Sequence, residues 1–531
     1  MTRTRNPDSE SESESKPSSS SSSSTGMKLI VPLQGVVQGR GGILLGSLIP
    51  CALFYFLQLY LKKRRRSNHN NHSSNPPSPS SSFPELPRTP SRSNLSSRGS
   101  ITRARLSRLA STISDDDSAY YVGLNRASRD PYHKFSNPDG IIQLGLSDNT
   151  LSLDLIGDWM QKWGSGGGDD DLSINGIATY QAFDGVDELK LAMADFMRQV
   201  MGRSVHFDTS NMVLTAGATP AIEILSFCLA DPGNAFLVPT PYYPGFDRDV
   251  RWRPGVDLIP VHCRSADNFN LSMTALEQAY AQARKRGVKV RGILVSNPSN
   301  PVGNMLTQDM LYNLIDFAED KNIHLIVDEV FAGSRYGSEK FVSVAEILDS
   351  DSEYIDNRRI HIIYGLSKDL ALAGFRVGVI YSFDRNVLAA ARKLCRFSSI
   401  SAPTQRLVTS MLSDKRFIQD YFETNRNRMR QVHDEFVDAL SKLGIKCAKS
   451  SGGMFCWADM SGLIKPYSEK GELELWEKFM SIAKINITPG SACHCIEPGW
   501  FRICFTTMSL EEIPLVIERI RRVVEVCKSS S

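Results

Sequence analysis

The stretch that decides the fold is residues 360–381, IHIIYGLSKDLALAGFRVGVIY, with Lys368 near its centre. A run of β-branched residues ends at Gly365, a Ser-Lys pair follows, and Arg376 precedes a second apolar run. This pattern predicts a strand, a turn and a strand, with the polar side chains gathered in the turn. Apolar surroundings lower the pKa of a lysine and make its amine a nucleophile. Lys368 is therefore a candidate for Schiff-base chemistry, although the same pattern also suits a solvated lysine at a strand end.

Similar apolar runs alternate with amphipathic helical stretches along the chain. The predicted strands are residues 212–215, 235–238, 292–295, 323–327, 360–364 and 377–381. Continuous apolar strands separated by helices predict a buried, mostly parallel sheet. After Thr404 the apolar residues recur at intervals of three and four, which predicts a helix that ends at Gly444.

The length, charge balance and cysteine content of the chain limit the kinds of function that it can have. With 531 residues, of which 41% are hydrophobic, the chain has material for a large core. The 61 Lys and Arg residues nearly cancel the 58 Asp and Glu residues, so nothing indicates a nucleic-acid partner. Ten cysteines without a framework spacing suit a reducing compartment. The run Cys493-His494-Cys495 lacks a second ligand pair at zinc spacing, and no metal site is predicted.

The first 118 residues differ from the rest. Residues 1–42 form a Ser-rich leader that we expect to be disordered, and residues 62–118 form a basic, Ser- and Pro-rich tether. Between them, residues 43–61 are apolar and are followed by five basic residues. As a helix this segment is about 28 Å long, close to the thickness of a bilayer core. It predicts a single-pass membrane anchor with the catalytic unit in the cytosol. The acidic leader argues against a signal peptide or a transit peptide, and without an anchor the chain is expected to be cytoplasmic.

Small and polar residues follow the predicted strands. Gly217, Ala218 and Thr219 come before a helical stretch, where backbone amides and the helix start favour a phosphate, although an ordinary turn is equally consistent. The other strands are followed by Tyr243, Asn300, Asp328 and Lys368. Ligands of open α/β sheets bind at the carboxyl ends of the strands. A phosphate cradle, a stacking aromatic ring, an amide, a buried carboxylate and an amine are together the parts that hold pyridoxal phosphate.

With these motifs the folded part resembles the class I/II pyridoxal-phosphate aminotransferases of fold type I, and within them it is similar to the plant 1-aminocyclopropane-1-carboxylate (ACC) synthases. The resemblance spans about residues 120–526. The segments that carry it are residues 130–133, 145–149, 239–249, 297–303, 328–333, 367–369 and 489–502.

The resemblance implies an α/β fold, in which a large domain with a mostly parallel central sheet is joined by a smaller α+β domain. The catalytic unit then covers residues 119–531. Its large domain covers about 185–400, and its small domain is formed from 119–184 and 401–531. The family's site lies at a dimer interface, so the resemblance also implies a homodimer.

The resemblance assigns a role to each motif residue. Lys368 forms the internal aldimine and shuttles protons, Asp328 keeps the pyridine nitrogen protonated, and Tyr243 stacks on the ring. Asn300 bonds the ring hydroxyl, and Arg502 grips the substrate α-carboxylate with its planar fork. The implied phosphate ligands are Ala218, Thr219, Ser367 and Arg376.

Several positions depart from the synthase pattern. Ser147 and Asp148, followed by Asn149, stand where the synthases have an alanine and a glutamate, so the carboxylate is one methylene shorter. Phe183 replaces a tyrosine whose hydroxyl reaches the neighbouring subunit's cofactor. Phe331 replaces a tyrosine that donates to the ring oxygen. The remaining departure is Gly365, which replaces a serine that contacts the phosphate. The implied substrate-binding positions are Arg502, Asp148, Asn149 and Phe183.

These departures favour transamination over ACC synthesis. The γ-elimination of the synthases depends on placing a sulfonium substrate, whereas transamination needs a Lys368 aldimine, a proton shift and hydrolysis. The sequence therefore predicts an enzyme that transfers the α-amino group of an amino acid to a 2-oxo acid, and the resemblance to divergent members of the synthase family implies an aromatic amino acid or aspartate as the donor. Two alternatives stay open: an ACC synthase and a catalytically silent, cofactor-binding regulator. Arg126, Arg251 and Arg253 are candidates for a second carboxylate site, with surface charge as the competing interpretation.

Overall fold

Two β-sheets organise the part of the chain that the computed structural model describes, which comprises residues 106–114, 118–165, 172, 174–202, 205–350 and 354–529. The predicted leader, the predicted anchor and most of the tether lie outside these residues. Within the described ranges, no helix combines the length and the apolar character that a membrane span requires.

The strands and helices alternate through most of the described chain. The strands are β1 (Ile142–Gln143), β2 (Met212–Thr215), β3 (Ala235–Thr240), β4 (Asp257–His262), β5 (Val290–Ser296), β6 (His324–Asp328), β7 (Ile360–Gly365), β8 (Gly378–Ser382), β9 (Lys446–Cys447), β10 (Phe455–Asp459), β11 (Ile485–Asn486), β12 (Thr488–Pro489) and β13 (Trp500–Cys504). The helices are α1 (Arg108–Ser114), α2 (Ala119–Arg129), α3 (Leu153–Ser165), α4 (Ile174–Ile177), α5 (Asp187–Met201), α6 (Ala218–Leu229), α7 (Phe246–Arg251), α8 (Met273–Lys285), α9 (Gln308–Asp320), α10 (Val344–Ser350), α11 (Leu366–Asp369), α12 (Arg385–Leu394), α13 (Ala402–Ser413), α14 (Lys415–Lys442), α15 (Glu469–Lys478) and α16 (Ile513–Ser529).

The larger sheet has seven strands in the order β2-β8-β7-β6-β5-β3-β4. Strands β3 to β7 run parallel to one another, and β8 runs antiparallel to both β7 and β2. All six predicted strands are present, which confirms the mostly parallel sheet. The prediction missed β4, because this edge strand alternates buried and exposed residues and includes Pro260.

The smaller sheet has four antiparallel strands in the order β12-β13-β10-β9. Strands β1 and β11 form a separate parallel pair. This pairing brings the chain before residue 145 beside the smaller sheet. The backbone N–H of Cys504 then donates to the carbonyl of Leu144 at 2.8 Å, so the segment after β1 lies along the strand that carries Arg502. The predicted domain boundaries at residues 185 and 400 stay predictions.

Helix α14 is the long helix that the three- and four-residue spacing predicts. Its start is capped by Asp414, whose side chain accepts from the N–H of Phe417 at 3.0 Å. The chain turns away at Gly444, whose φ of +85° is the left-handed conformation that glycine adopts without steric cost. The buried stripe of α14 packs against both hydrophobic clusters of the molecule.

Candidate active site

A cavity of about 250 Å³ opens at the carboxyl ends of β6 and β7. Parallel strands place the residues that follow them at one edge of the sheet, which is why side chains distant in sequence meet there. The cavity is lined by nine of the predicted site residues: Asp148, Ala218, Thr219, Tyr243, Asn300, Asp328, Ser367, Lys368 and Arg376.

Lys368 lies on the short helix α11 directly after β7, and its side chain points into the cavity. Its Nζ atom donates to the carbonyl oxygen of Ser147, which belongs to the segment after β1. Shielding from water lowers the pKa of Lys368 to about 8, and the nearby carboxylate of Asp148 opposes this shift. An amine with such a pKa is unprotonated in a substantial fraction of molecules near neutral pH, as a nucleophile must be.

Asp328 is the last residue of β6 and is only 6% exposed. Burial raises its pKa to about 7, while the N–H of Val330, 3.3 Å from Oδ1, and the charge of Lys368 act in the opposite direction. A buried carboxylate of this kind gains stability when a cationic group comes within contact distance. Asp328 is thus suited to pair with a protonated ring nitrogen.

The start of α6 forms a cradle for an anion. Its N-cap residue, Gly217, provides no side chain to the first helical N–H groups. A Cβ atom at Gly217 would lie 2.2 Å from a guanidinium nitrogen of Arg376, so only glycine leaves space for that arginine. The same arginine lies 3.5 Å from the hydroxyl of Ser367. Backbone amides, a guanidinium and a hydroxyl together form a suitable phosphate site.

Arg502 projects from β13 and is fully buried. One guanidinium nitrogen donates to Oδ1 of Asn300 at 2.8 Å, and another donates to the carbonyl of Gly145 at 2.7 Å. Its Nε atom has no hydrogen-bond partner among the described residues. A buried guanidinium without a carboxylate partner is suited to receive one from a ligand.

Tyr243 follows β3 and packs edge-on against Phe246 and Tyr120. A Cβ atom at Gly245 would lie 2.3 Å from the Tyr243 ring, so glycine is required beside it. Burial raises the pKa of the Tyr243 hydroxyl well above its usual value, so the ring stays neutral. A neutral ring at the cavity wall can stack on a flat ligand.

Three of the four predicted substrate-binding residues, Arg502, Asn149 and Phe183, are not among the residues that line the cavity. Asn149 is buried, and its amide donates to Oδ1 of Asn425 at 3.1 Å, so it fastens its loop to α14. Phe183 is 39% exposed and contacts Tyr180. Its predicted role at a neighbouring subunit stays a prediction. Asp148 lies at the cavity, where its Oδ1 accepts from the backbone N–H of Asn149 at 3.0 Å.

The other departures from the synthase pattern lie at the cofactor side of the cavity. The centre of the Phe331 ring is 6.0 Å from Nζ of Lys368, so this ring lies at the lysine side of the cavity. A Cβ atom at Gly365 would lie 2.9 Å from the carbonyl oxygen of Val377, so a serine there requires a shift of the backbone. At Gly378 a Cβ atom would lie 2.3 Å from the backbone of Gly217. Beside the phosphate cradle the chain is therefore packed backbone against backbone.

The three candidate arginines for a second carboxylate all have carboxylate partners already, which favours the interpretation as surface charge. Arg126 pairs with Glu477 at 2.6 Å, Arg251 lies 3.6 Å from Asp247, and Arg253 lies 2.9 Å from Glu223. None of the three arginines is among the residues that line the cavity.

Two further cavity residues escaped the sequence analysis. Tyr120 on α2 is 4% exposed, and its ring lies 5.5 Å from the guanidinium carbon of Arg502. Asp249 on α7 has a buried oxygen without a hydrogen-bond partner among the described residues, and burial together with the charge of Asp328 raises its pKa to about 8. Both lie on helices, away from the strand ends on which the prediction relied.

The residues of the cavity fit pyridoxal phosphate. The cradle at Gly217 and Arg376 suits its phosphate, the carboxylate of Asp328 suits its ring nitrogen, and the amine of Lys368 suits its aldehyde. In the described part of the chain, no group of three or more His, Cys, Asp or Glu residues is arranged to hold a metal ion.

Comparisons with known proteins agree with this geometry. The family model "Aminotransferase class I and II" matches residues 141–520. The chain is 60% identical over 509 residues to 1-aminocyclopropane-1-carboxylate synthase 6 of Oryza sativa subsp. japonica, covering 94% of this chain and 93% of that protein. It is 58% identical over 510 residues to a probable aminotransferase, ACS12, of Arabidopsis thaliana, covering 95% and 100%. Among solved structures, a double mutant of Thermus thermophilus aspartate aminotransferase matches with a TM-score of 0.64 at 19% identity, covering 79% of this chain and 100% of that one, which shows the shared fold.

Proposed function

Since this chain belongs to the class I and II aminotransferases, a family that uses pyridoxal phosphate, we propose that it transfers the α-amino group of an amino acid to a 2-oxo acid. When bound, pyridoxal phosphate supplies an electron sink that stabilises negative charge at the substrate α-carbon. The donor is an aromatic amino acid, aspartate, or both. The similarity to the probable aminotransferase of Arabidopsis supports this function.

Lys368 holds the cofactor and moves the proton in this proposal. Its Nζ atom lies at the cavity between Asp148 and Asp328, and its lowered pKa lets the amine accept and return a proton near neutral pH. The short helix α11 fixes the position of the amine directly after β7.

Arg502 binds the α-carboxylate of the substrate. Two of its guanidinium nitrogens are fixed by Asn300 and Gly145, so the group is oriented before the substrate arrives. Preorganisation lowers the entropic cost of binding. Tyr120 covers the guanidinium and keeps water from it.

The observation that carries the proposal is the position of Asp148. Its side chain is short, and one carboxylate oxygen accepts from the N–H of Asn149 within its own loop. A carboxylate held on its own backbone is poorly placed to follow a sulfonium group during an elimination. Lys368 and Asp328, which transamination needs, line the cavity, and the buried Arg502 bonds to Asn300, which also lines it.

ACC synthesis is the second candidate, because the rice relative at 60% identity carries a synthase name. Asp148 supports it too, since any carboxylate at the cavity attracts a sulfonium cation. The two functions differ in substrate and product, which makes them separable in one experiment.

The test uses the purified full chain loaded with pyridoxal phosphate and incubated separately with Tyr, Phe, Asp or S-adenosylmethionine. Each donor amino acid is supplied with a 2-oxo acid acceptor, and both keto acid and ACC are assayed. Keto acid formed from at least one donor supports the proposal and identifies that donor. ACC formed from S-adenosylmethionine without keto acid selects the second candidate. A bound cofactor that changes with none of the four substrates indicates a catalytically silent regulator and contradicts both.

The assembly and location of the protein are also proposals. We propose a homodimer, since aminotransferase-fold proteins typically act as dimers and Phe183 is exposed beside Tyr180. Sedimentation of the purified chain measures this directly. We also propose that residues 43–61 anchor the protein with the catalytic unit in the cytosol, which membrane fractionation with and without those residues tests.

A further inference from the structure

The loop between β12 and β13, residues 490–499, joins the two sheets at the candidate active site. It leads directly into the strand that carries Arg502. On its other side it contacts the turn of residues 241–247, which follows β3 and carries Tyr243. The loop and the turn therefore connect the residue that binds the substrate carboxylate with the residue that faces the cofactor ring.

A buried carboxylate holds the loop on the side of the smaller sheet. Glu472 on α15 is 1% exposed, and its two oxygens accept from the N–H of Ser491 at 2.7 Å and the N–H of Gly499 at 2.6 Å. Both ends of the loop are thus fixed to the same helix.

Three contacts with the turn hold the loop on the side of the larger sheet, and a fourth bond lies within the turn itself. The N–H of Tyr242 donates to the carbonyl of Cys493 at 2.9 Å, and the rings of Tyr242 and His494 stack at 4.4 Å with an angle of 15° between their planes. Nε2 of His494 lies 2.6 Å from Oδ2 of Asp247. The hydroxyl of Tyr242 donates to the other oxygen of Asp247 at 3.0 Å.

The conformation and electrostatics of this cluster indicate that it does more than fill space. His494 has a φ of +59°, a left-handed conformation that costs energy in a residue other than glycine and persists where surrounding contacts impose it. Burial acts to raise the pKa of Asp247, but the contacts with His494 and Arg251 outweigh it and lower the pKa below its usual range. The side chain of His494 remains 39% exposed, so core packing does not explain its position.

We propose that Asp247 and His494 form a clasp, closed by Tyr242, that keeps Tyr243 and Arg502 at a fixed separation. Both members are positioning residues: Asp247 acts through the turn that carries Tyr243, and His494 acts through the strand that carries Arg502. The clasp gives a role to the histidine of the Cys493-His494-Cys495 run. Its effect on rate rests on the proposed function, whereas its effect on structure does not.

The physical argument is one of alignment. A substrate gripped by its carboxylate must hold its α-carbon against the cofactor, and a displacement of about 1 Å can cost on the order of 100-fold in rate. A charge-assisted hydrogen bond and a ring stack across the gap limit such displacements.

The test compares variants of the full chain loaded with pyridoxal phosphate. His494→Phe keeps a ring that can stack on Tyr242 but loses the bond to Asp247, and His494→Gln keeps a nitrogen that can donate to it. Asp247→Asn removes the charge at constant size. The matched control is Asp434→Asn, which removes the charge from another His-Asp pair, with His433 at 2.9 Å on α14.

Three readouts separate positioning from folding. Hydrogen exchange of residues 241–247 and 490–499 is measured in the cofactor-free chain, visible circular dichroism reports the asymmetry around the bound cofactor, and donor KM and kcat are measured separately. For His494→Phe and Asp247→Asn we expect exchange in both segments to be about 10-fold faster and the dichroism to be weaker. We also expect kcat/KM to fall about 10-fold, mainly through KM, in those two variants.

We expect His494→Gln to restore most of each signal, and Asp434→Asn to leave all three unchanged. Exchange and dichroism equal to wild type in His494→Phe would overturn the clasp. Equal losses in His494→Phe and His494→Gln, with a lowered melting temperature in both, would also overturn it, since they indicate a purely structural histidine. If no donor yields keto acid, the proposed function fails, but exchange and dichroism still decide the clasp.

Discussion

The two ends of the cavity differ in how far they follow the synthase pattern. At the cofactor end, Lys368, Asp328 and the Gly217 cradle are all present and buried or tightly packed. At the substrate end Asp148 is short, and Phe183, to which the resemblance also assigns a substrate role, lies outside the cavity lining and has no hydroxyl. The comparison teaches that this chain keeps the groups that suit the cofactor while residues assigned to the substrate depart from the synthase pattern.

The largest expected effect comes from removing the amine on which both ends depend. Lys368→Ala should reduce any turnover by at least about 10³-fold, because no other amine lies at the cavity to carry the proton. Borohydride reduction followed by mass spectrometry should show covalent cofactor on the wild-type chain and none on the variant. Lys449→Ala, an exposed lysine paired with Glu339, is the matched control. Covalent cofactor on another lysine at full activity would contradict the assignment.

The next effect concerns Asp328. Its negative charge is required to pair with the cofactor, whereas in the cofactor-free chain the same buried charge is destabilising. Asp328→Asn should lower kcat/KM about 10²- to 10³-fold, because the ring nitrogen loses its carboxylate. In the cofactor-free chain the same change should be stabilising above pH 7.

The sign of that stability effect follows from the pKa shift. Burial raises the pKa of Asp328 from 3.8 to about 7, so its neutral form is favoured in the folded chain and stability is lost as pH rises from about 4 to about 7. The variant should therefore be more stable by up to about 4 kcal/mol at pH 8 and equal to wild type below about pH 4. Urea unfolding at the two pH values measures this. A variant less stable than wild type at pH 8 would contradict the assigned burial cost.

A change of intermediate size should come from restoring the substrate end. The double substitution Asp148→Glu with Phe183→Tyr lengthens the carboxylate and returns the missing hydroxyl. If these positions decide the reaction, the ratio of ACC to keto acid formed should rise about 10-fold or more. Arg253→Lys, which preserves a surface charge paired with Glu223, serves as the control. An unchanged ratio would contradict the idea that these two positions determine the reaction, and would indicate that other residues of the cavity do.

The smallest effect is expected at Phe331, which belongs to the cofactor end but departs from the pattern. Phe331→Tyr would return the hydroxyl that the resemblance assigns to the cofactor's ring oxygen, and a hydrogen bond from it favours the anionic form of that oxygen. The pH midpoint of the change in cofactor absorbance should fall by about 0.5 to 1 unit. A spectrophotometric titration without substrate measures it, and Phe455→Tyr, at a ring that packs against Phe331, controls for added bulk. A midpoint that rises would contradict the expected hydrogen bond.

The sequence predicts the cofactor end well, because Asp328 and Lys368 follow apolar strands and strand ends share an edge of the sheet. It predicts the substrate end less well. Asn149 was expected in the site and instead bonds to Asn425, since the direction of a loop side chain depends on a helix 276 positions away. Tyr120 lies on a helix whose place in the fold is set by tertiary packing. Local pattern carries no information on such contacts.

The close contact between Gly217 and Gly378 has a consequence for how this scaffold can diversify. Because the backbones of Gly217 and Gly378 are in contact, neither residue can be replaced by a larger or a charged one. This part of the site therefore has no room for variation. The surrounding wall is formed by side chains instead, among them those of Tyr120 and of residues 146–148. Because those residues lie outside the seven-stranded sheet, they can change without disturbing the strands that carry the cofactor ligands. The fold thus separates a tightly packed pair of glycines that cannot change from a wall of side chains that can.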